Sequence, residues 1–302
     1  MEETKRILIL INERVSPTDK NWTFFRKEVE KSIGSKFEIT MGELRTLTFE
    51  LSRTDSKLYD RERGFSLDNF DLVVFRFIRS DRALASSCAS YLQLKNIPYI
   101  DRQIQPYPGS KFAAQAMHFG NGIMCIPSVY SNSTELQYMI QNDLMPFGYP
   151  LIVKDNNGKK GRLNFIARDK NTALEIFQQN PEVDFIVQEF IENDGDYRFL
   201  LMGGKISLII HRQAQTDSHL NNTSQGAVAK VVDISNFSAK IISDVIQSAE
   251  NEKLDVAGVD LMIDRNTGQH YIIEVNSSPQ LATGAVPEQK MKAYTDYLMS
   301  LL

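Results

Sequence analysis

Sulfur and histidine are scarce in this 302-residue chain, and so is any long greasy segment. The two cysteines, Cys88 and Cys125, have no metal-like spacing and provide no framework of bridges, so both read as buried thiols. With four histidines, neither a Cys/His constellation nor a serine elbow for nucleophilic catalysis is present. His211, alone on a strand, reads as an ordinary hydrogen-bond partner. No run approaches the roughly 18 apolar residues that span a bilayer. Met1-Glu2-Glu3-Thr4-Lys5-Arg6 carries acids ahead of a short apolar run and lacks a small-residue cleavage site, so the expectation is a cytoplasmic protein with no membrane partner. A formal net charge of -4 argues against a dedicated nucleic-acid binder. There is no internal repeat and no low-complexity tract. What remains, 42% hydrophobic and 24% charged residues, is the composition of a globular chain long enough for two or three lobes.

The most informative stretch lies near the C-terminal end. Gly258-Val259-Asp260-Leu261-Met262-Ile263-Asp264 alternates apolar and polar residues, Asn266-Thr267-Gly268 supplies turn chemistry, and Tyr271-Ile272-Ile273-Glu274-Val275-Asn276-Ser277-Ser278-Pro279 resumes the period of two. That pattern predicts a β-hairpin. Side chains two apart share a face, so Glu274 and Asn276 point the same way, and Asp260 can sit opposite them. Three oxygen-bearing groups then converge, a donor set suited to a hard divalent cation. An edge hairpin with a solvated acidic face is the plainer reading of the same spacing.

G-V-D-L followed by E-V-N-S-S-P resembles the metal-binding hairpin of ATP-grasp carboxylate-amine ligases, in particular the RimK-like branch that includes ribosomal-protein glutamate ligases. The resemblance is good over roughly residues 105 to 302 and holds in outline before that. It implies an ATP-grasp fold of three α/β lobes with the nucleotide between the central and C-terminal lobes. It also implies ATP as cosubstrate and two Mg²⁺, with Mn²⁺ as an alternative, on Asp260, Glu274 and Asn276.

In chain order, Arg6 to Ile11 is a continuous apolar run, as in a strand covered on both faces. Trp22, Phe25, Val29 and Ile33 recur at helical spacing. Phe37 to Met41 and Asp71 to Phe77 are further strands, residues 44 to 68 are mixed and weakly periodic, and a helix from Asp81 leads to a short strand at Ile97 to Asp101. Residues 1–104 therefore read as an α/β domain with a largely parallel sheet. Arg76 and Arg79 lie near a strand end, where such sheets bind ligands; surface ion pairing is the plainer role for each. Gln105-Pro106-Tyr107-Pro108 marks a boundary, giving a central lobe over 105–190 and a C-terminal lobe over 191–302.

In the central lobe Lys111 opens a helix, and the strand Leu151-Ile152-Val153-Lys154 runs into Asp155-Asn156-Asn157-Gly158-Lys159-Lys160-Gly161-Arg162. Gly158 and Gly161 let backbone amides of such a flap approach phosphate, and Lys154 adds a point charge. An exposed basic hairpin is the alternative. The resemblance places Lys111 and Lys154 on nucleotide phosphate, although the flap has less glycine than the family pattern and no serine or threonine. It places adenine on Gln188-Glu189-Phe190-Ile191, a segment that would otherwise be a plain core strand. Asp196 and Arg198 match a D-x-R pattern whose arginine faces the reaction centre, and Arg212 matches a basic residue that helps stabilise the acyl phosphate. Either arginine could instead be bound structurally to Asp194 or Asp196. Asn222 fits the family's acceptor loop, whose usual basic, glycine-rich form is otherwise replaced by Thr223-Ser224-Gln225-Gly226.

The function so implied is ATP-dependent joining of a carboxylate to an amine through an acyl phosphate. The acceptor is an amino acid, a peptide or a protein tail. A peptide-modifying macrocyclase of the same superfamily, a phosphotransferase acting on a hydroxyl and a non-catalytic nucleotide-binding regulatory module are the alternatives. The sequence leaves self-association open.

Overall fold

The structure is a computed structural model that describes residues 4–11, 37–76, 82–100, 104, 109–158, 163–213 and 228–300. The helix read over Trp22 to Ile33, the linker 105–108, the flap residues 159–162, Arg79 and the acceptor-loop residue Asn222 lie outside them.

Strands β1 (Lys5–Ile11) and β2 (Phe37–Glu43) pair in parallel. Ile7 to Ile11 are buried in succession, which accounts for an unbroken apolar run where both faces are covered. The chain then departs from the parallel pattern. Strands β3 (Thr48–Leu51), β4 (Ser56–Asp60) and β5 (Phe65–Ser66) form an antiparallel meander across the weakly periodic stretch. Its signal is faint because the strands are short and because it buries polar groups. Asp60 accepts hydrogen bonds from the Thr46 hydroxyl at 2.6 Å and from the Arg63 amide at 2.9 Å, and pairs with the Arg63 guanidinium at 2.8 Å. Strand β6 (Leu72–Arg76) returns beside β1, helix α1 (Arg82–Leu94) buries Ala85, Cys88, Ala89 and Leu92, and β7 (Tyr99–Ile100) completes the parallel sheet in the order β2-β1-β6-β7.

Helix α2 (Lys111–Gly120) begins at Ser110, whose hydroxyl accepts from the Ala113 amide. Next come β8 (Ser128–Tyr130), α3 (Ser133–Gln141), β9 (Leu151–Asp155), β10 (Asn164–Ala167), α4 (Lys170–Gln179) and β11 (Phe185–Glu189). These strands and the meander make one seven-stranded sheet, β10-β9-β11-β8-β3-β4-β5. Residues 48 to 66 thus extend the central lobe's sheet from the N-terminal side of the boundary at 104. Val129, Leu151, Val153, Phe185 and Val187 line one face under α3 and α4, while Ile186 on the other packs with Phe112 of α2.

The third sheet has the order β14-β13-β12-β15-β16, formed by β12 (Asp196–Met202), β13 (Lys205–Gln213), β14 (Val228–Val231), β15 (Val256–Ile263) and β16 (His270–Asn276). Phe199, Leu201, Ile209, Val259 and Leu261 point to one face, where α5 (Ala239–Asn251) covers them with Ile241, Val245 and Ala249. The opposite face carries the polar positions and meets α6 (Pro287–Ser300). Among the links that hold this lobe to the rest, Ile272 donates its amide to Met124 O at 3.1 Å, His118 lies 3.1 Å from Glu252, and Arg53 in the β3–β4 turn reaches the Tyr271 hydroxyl at 2.9 Å and Glu189 at 2.8 Å.

Candidate active site

Strand register assembles the C-terminal half of the site. Arg198 lies opposite Asp260 across β12 and β15, Asp260 lies opposite Glu274 across β15 and β16, and Asp196 lies opposite Arg212 across β12 and β13. Directly opposed residues share a face, so all five project from the polar side, and Asn276 joins them two positions after Glu274. Asp260, 5% exposed, accepts a bidentate pair from Arg198, Nε at 2.7 Å and Nη2 at 2.6 Å, with Nη2 of Arg212 at 3.0 Å. The Nε of Arg212 donates to Asp196 at 2.6 Å. Burial pushes the Asp196 carboxyl above the usual carboxylate range, with Arg212 opposing. Burial works the same way on Asp260, but Arg212 and Arg198 outweigh it and hold this carboxyl low. Burial also disfavours the charge on Arg212, yet Asp260 and Asp196 keep it firmly protonated. Both arginines are therefore held in place by buried carboxylates.

Asn276 Nδ2 donates to Glu274 Oε1 at 3.1 Å and lies 3.5 Å from Asp260 Oδ2. Two carboxylates and an amide thus meet on one patch; among the described residues no group of three His, Cys, Asp or Glu does so. An ionised carboxylate has about four lone-pair sites. Asp260 already uses three, whereas half-buried Glu274 has most of its capacity left. An oxygen-only set of this kind fits Mg²⁺, with Glu274 and Asn276 as principal ligands and Asp260 sharing.

The central lobe faces this patch with lysines. Lys154, at the end of β9, is 7% exposed, and among the described residues its ammonium makes no hydrogen bond or ion pair. Burial lowers its pKa from 10.5 to about 8; the field of Glu274 opposes this and Lys111 adds to it. Burial depresses Lys111 too, again with Glu274 opposing, while its Nζ donates to the carbonyls of Asp155, at 2.9 Å, and Gly158 at the base of the flap. An ammonium held in its charged form at neutral pH against that shift costs about 3 kcal/mol. An anion between Lys154 and the acidic patch would recover it, and a cation beside Glu274 would keep that anion from being repelled.

The pH dependence follows with a definite sign. The folded pKa lies below the unfolded one, so Lys154 detracts from stability at neutral pH, and that burden lifts as pH rises through about 8. Nucleotide triphosphate affinity should move the opposite way, level below about pH 8 and falling up to ~10-fold per unit above it as the ammonium is lost. Calorimetric titration between pH 6.5 and 9.5 checks this, and Lys154→Met should flatten that part of the profile.

Other predicted contacts sit differently. Gln188 turns into a buried network, donating to Ser128 Oγ at 2.6 Å and Gln115 Oε1 at 3.1 Å, so its side chain braces β11 against α2 and β8. The Glu189 amide donates to Pro127 O at 2.9 Å and the Ile191 carbonyl accepts from Asn193 at 2.8 Å, so part of the backbone edge read for adenine is engaged; Phe190 is half-buried beside it. Gly195 is where the backbone needs glycine: its φ is +110°, and a Cβ would collide with the Arg212 carbonyl. His211 is an ordinary hydrogen-bond partner, donating from Nε2 to the Asp194 carbonyl at 2.9 Å and stacking on Tyr197. The backbone of Arg76 ends β6 as read. Sequence reasoning missed Lys290 and Arg53, which no local pattern marks.

A profile of the RimK-like ATP-grasp domain matches residues 116–293. A probable alpha-L-glutamate ligase of Aeromonas salmonicida is 28% identical over 261 residues, 84% of this chain and 83% of that one. Another, from Cellvibrio japonicus, is 33% identical over 138 residues, 44% of each chain. Among solved structures, D-alanine–D-alanine ligase from Bacillus anthracis superposes with a TM-score of 0.51 at 16% identity, covering 98% of this chain and 96% of that one.

Proposed function

From the premise that the chain belongs to the RimK-like ATP-grasp family and is an ATP-dependent carboxylate-amine ligase, we propose how its own residues carry the reaction. Lys154 and Lys111 hold nucleotide phosphate from the central lobe, the segment Glu189 to Ile191 seats the base, and the loop bearing Asn222 receives the acceptor. Asp260, Glu274 and Asn276 would hold two Mg²⁺, or Mn²⁺ in their place, which when bound would supply charge neutralisation at the phosphates. A carboxylate oxygen of the substrate attacks the γ-phosphorus, the bond to the β-phosphate oxygen breaks and ADP leaves. The amine nitrogen then attacks the acyl carbon, inorganic phosphate departs, and the nitrogen gives up a proton to leave an amide.

Arg198 and Arg212 face the transferring phosphoryl group with guanidiniums already oriented by Asp260 and Asp196, so little reorganisation is needed as charge develops. Arg212 also steadies the acyl phosphate. The observation that carries this reading is Lys154, a nearly inaccessible residue that has no hydrogen-bond or ion-pair partner among the described residues and lies within the field of Glu274. The substrates proposed are a small amino acid such as L-glutamate and a carboxylate-ended peptide or protein tail.

The test is ADP formation with Mg²⁺ and pairs of carboxylates and amines, with product masses read in parallel. ADP release that needs both partners, with a product equal to their sum less one water, is the expected result. A stable phosphate ester, or nucleotide binding without any partner-dependent ADP, would overturn the ligase mechanism.

A further inference from the structure

The turn that leaves β9 carries Asn156 and Asn157 where the family pattern has glycine, serine or threonine, and three distant segments meet at the first of them. Asn156 is 2% exposed, and each of its polar atoms is bonded. Its amide donates to Asp184 O at 2.8 Å and its carbonyl accepts from the Lys111 amide at 3.0 Å. Its Oδ1 accepts from the Phe112 amide at 2.9 Å, and its Nδ2 donates to Asp184 Oδ2 at 3.1 Å. That carboxylate oxygen also receives the Tyr130 hydroxyl at 3.0 Å and Asn157 Nδ2 at 3.2 Å. An amide N–H can only donate and an ionised carboxylate can only accept, so the side-chain orientation of Asn156 is dictated by its partners.

The first amides of a helix have no acceptor within it. In α2 the Ala113 amide is taken by Ser110, and those of Lys111 and Phe112 are taken by Asn156. The start of this helix is thereby closed, and recognition of an anion from α2 falls to the Lys111 side chain. Its Nζ returns to the carbonyls of Asp155, at 2.9 Å, and Gly158, on either side of Asn156. Backbone and side chain of Lys111 are thus both tied to the one turn. The ammonium stands close enough to Lys154 for its field to act there, so two like charges are held together, an arrangement that a polyanion would stabilise.

We infer that Asn156 is a positioning residue for nucleoside triphosphate: by locking the start of α2 to the turn after β9, it sets the Lys111 ammonium beside Lys154 so that both converge on the phosphate chain. The inference rests on the reading of those two lysines as phosphate holders. The hydrogen-bond network itself does not.

The experiment is calorimetric binding of AMP and of a non-hydrolysable ATP analogue, with Mg²⁺ and no acceptor, to the full-length protein. Wild type should bind the ATP analogue more tightly than AMP. Asn156→Ala strands the Phe112 amide and should lower that preference ~10-fold or more, with AMP affinity at its wild-type value. Asp184→Ala removes a negative charge, which by itself would tighten triphosphate binding; loss of positioning predicts a weakened preference instead, and this variant decides the matter if Asn156→Ala does not fold. Asn156→Asp combined with Asp184→Asn exchanges the two groups at constant total charge, keeps both side-chain hydrogen bonds, and should recover most of the preference.

A wild-type preference in Asn156→Ala, or tighter triphosphate binding in Asp184→Ala, overturns the inference. So does equal loss of AMP and the ATP analogue without rescue by the exchange, which would make Asn156 only a brace of the turn. Lys154→Met tests the premise. Full preference in that variant removes phosphate from the lysines and the inference falls with it, whereas preference lost in Lys154→Met and kept in Asn156→Ala overturns the role of Asn156 alone. Neither readout requires ADP formation, so failure of the ligase mechanism is seen separately.

Discussion

Glu274→Ala should lower ADP formation at least ~10³-fold while the melting temperature stays within roughly 3 °C of wild type. The two halves of that expectation have different origins. Glu274 is half-buried at the end of β16, and among the described residues its hydrogen-bond partner is Asn276, so little packing is lost with it. It raises the pKa of both Lys154 and Lys111, however, and in the proposed mechanism it offers most of the free oxygen ligands for a divalent cation. Phosphate would then meet the patch without its neutralising ion. Coupled-enzyme assay of ADP and differential scanning calorimetry on the same preparation check both halves. Turnover near the wild-type rate would remove the metal from Glu274.

Asp260→Ala should behave differently, losing stability as well as activity. Truncation leaves Arg198 without its bidentate partner and strips Arg212 of one of two carboxylates, in a site where Asp260 and Arg212 are nearly inaccessible. Removing one partner from a buried charge network costs on the order of 3–5 kcal/mol. For a chain of this length that corresponds to a fall in melting temperature of roughly 5–8 °C. Asp260→Asn preserves the shape and some acceptor capacity and should fall between the two. Equal melting temperatures for Asp260→Ala and wild type would show that the arginines are held by something other than this carboxylate. Comparing the two alanine variants separates loss of a metal ligand from loss of the groups that aim the arginines.

Much of this site was legible in the chain itself, for a physical reason. A hairpin is a local object: period-two alternation, turn residues at 266–268 and short strand length decide which side chains share a face. Glu274 and Asn276 therefore share a face by their spacing alone, whereas Asp260 comes opposite Glu274 through a β-bulge beside Leu261, which the alternation permits but does not dictate. The same holds for the buried run of β1 and the start of α2 at Lys111. Side chains 62 residues apart, such as Arg198 and Asp260, have no such local link. Their pairing arises from β12 lying between β13 and β15, an order set by how the apolar face packs on α5.

The tertiary structure alone decided the rest. The meander of β3, β4 and β5 is too short and too polar to announce itself, and it is ordered by pairing with β8 from another lobe. Arg53 acquires its partners Glu189 and Tyr271 because that meander carries its turn to the junction of lobes. The family resemblance sets Gln188 at the adenine site, whereas the crossing of α2 turns its side chain into a core hydrogen-bond network, in keeping with the core strand that the linear pattern alone suggests. Lys290 reads as one more charged position of the closing helix, and it becomes a buried cation, held by the Thr283 carbonyl and without an ion pair among the described residues, when α6 folds across the polar face of the third sheet. Period and turn chemistry act over a few residues and so can be read in the sequence, whereas burial and charge compensation belong to surfaces that exist once distant segments have met.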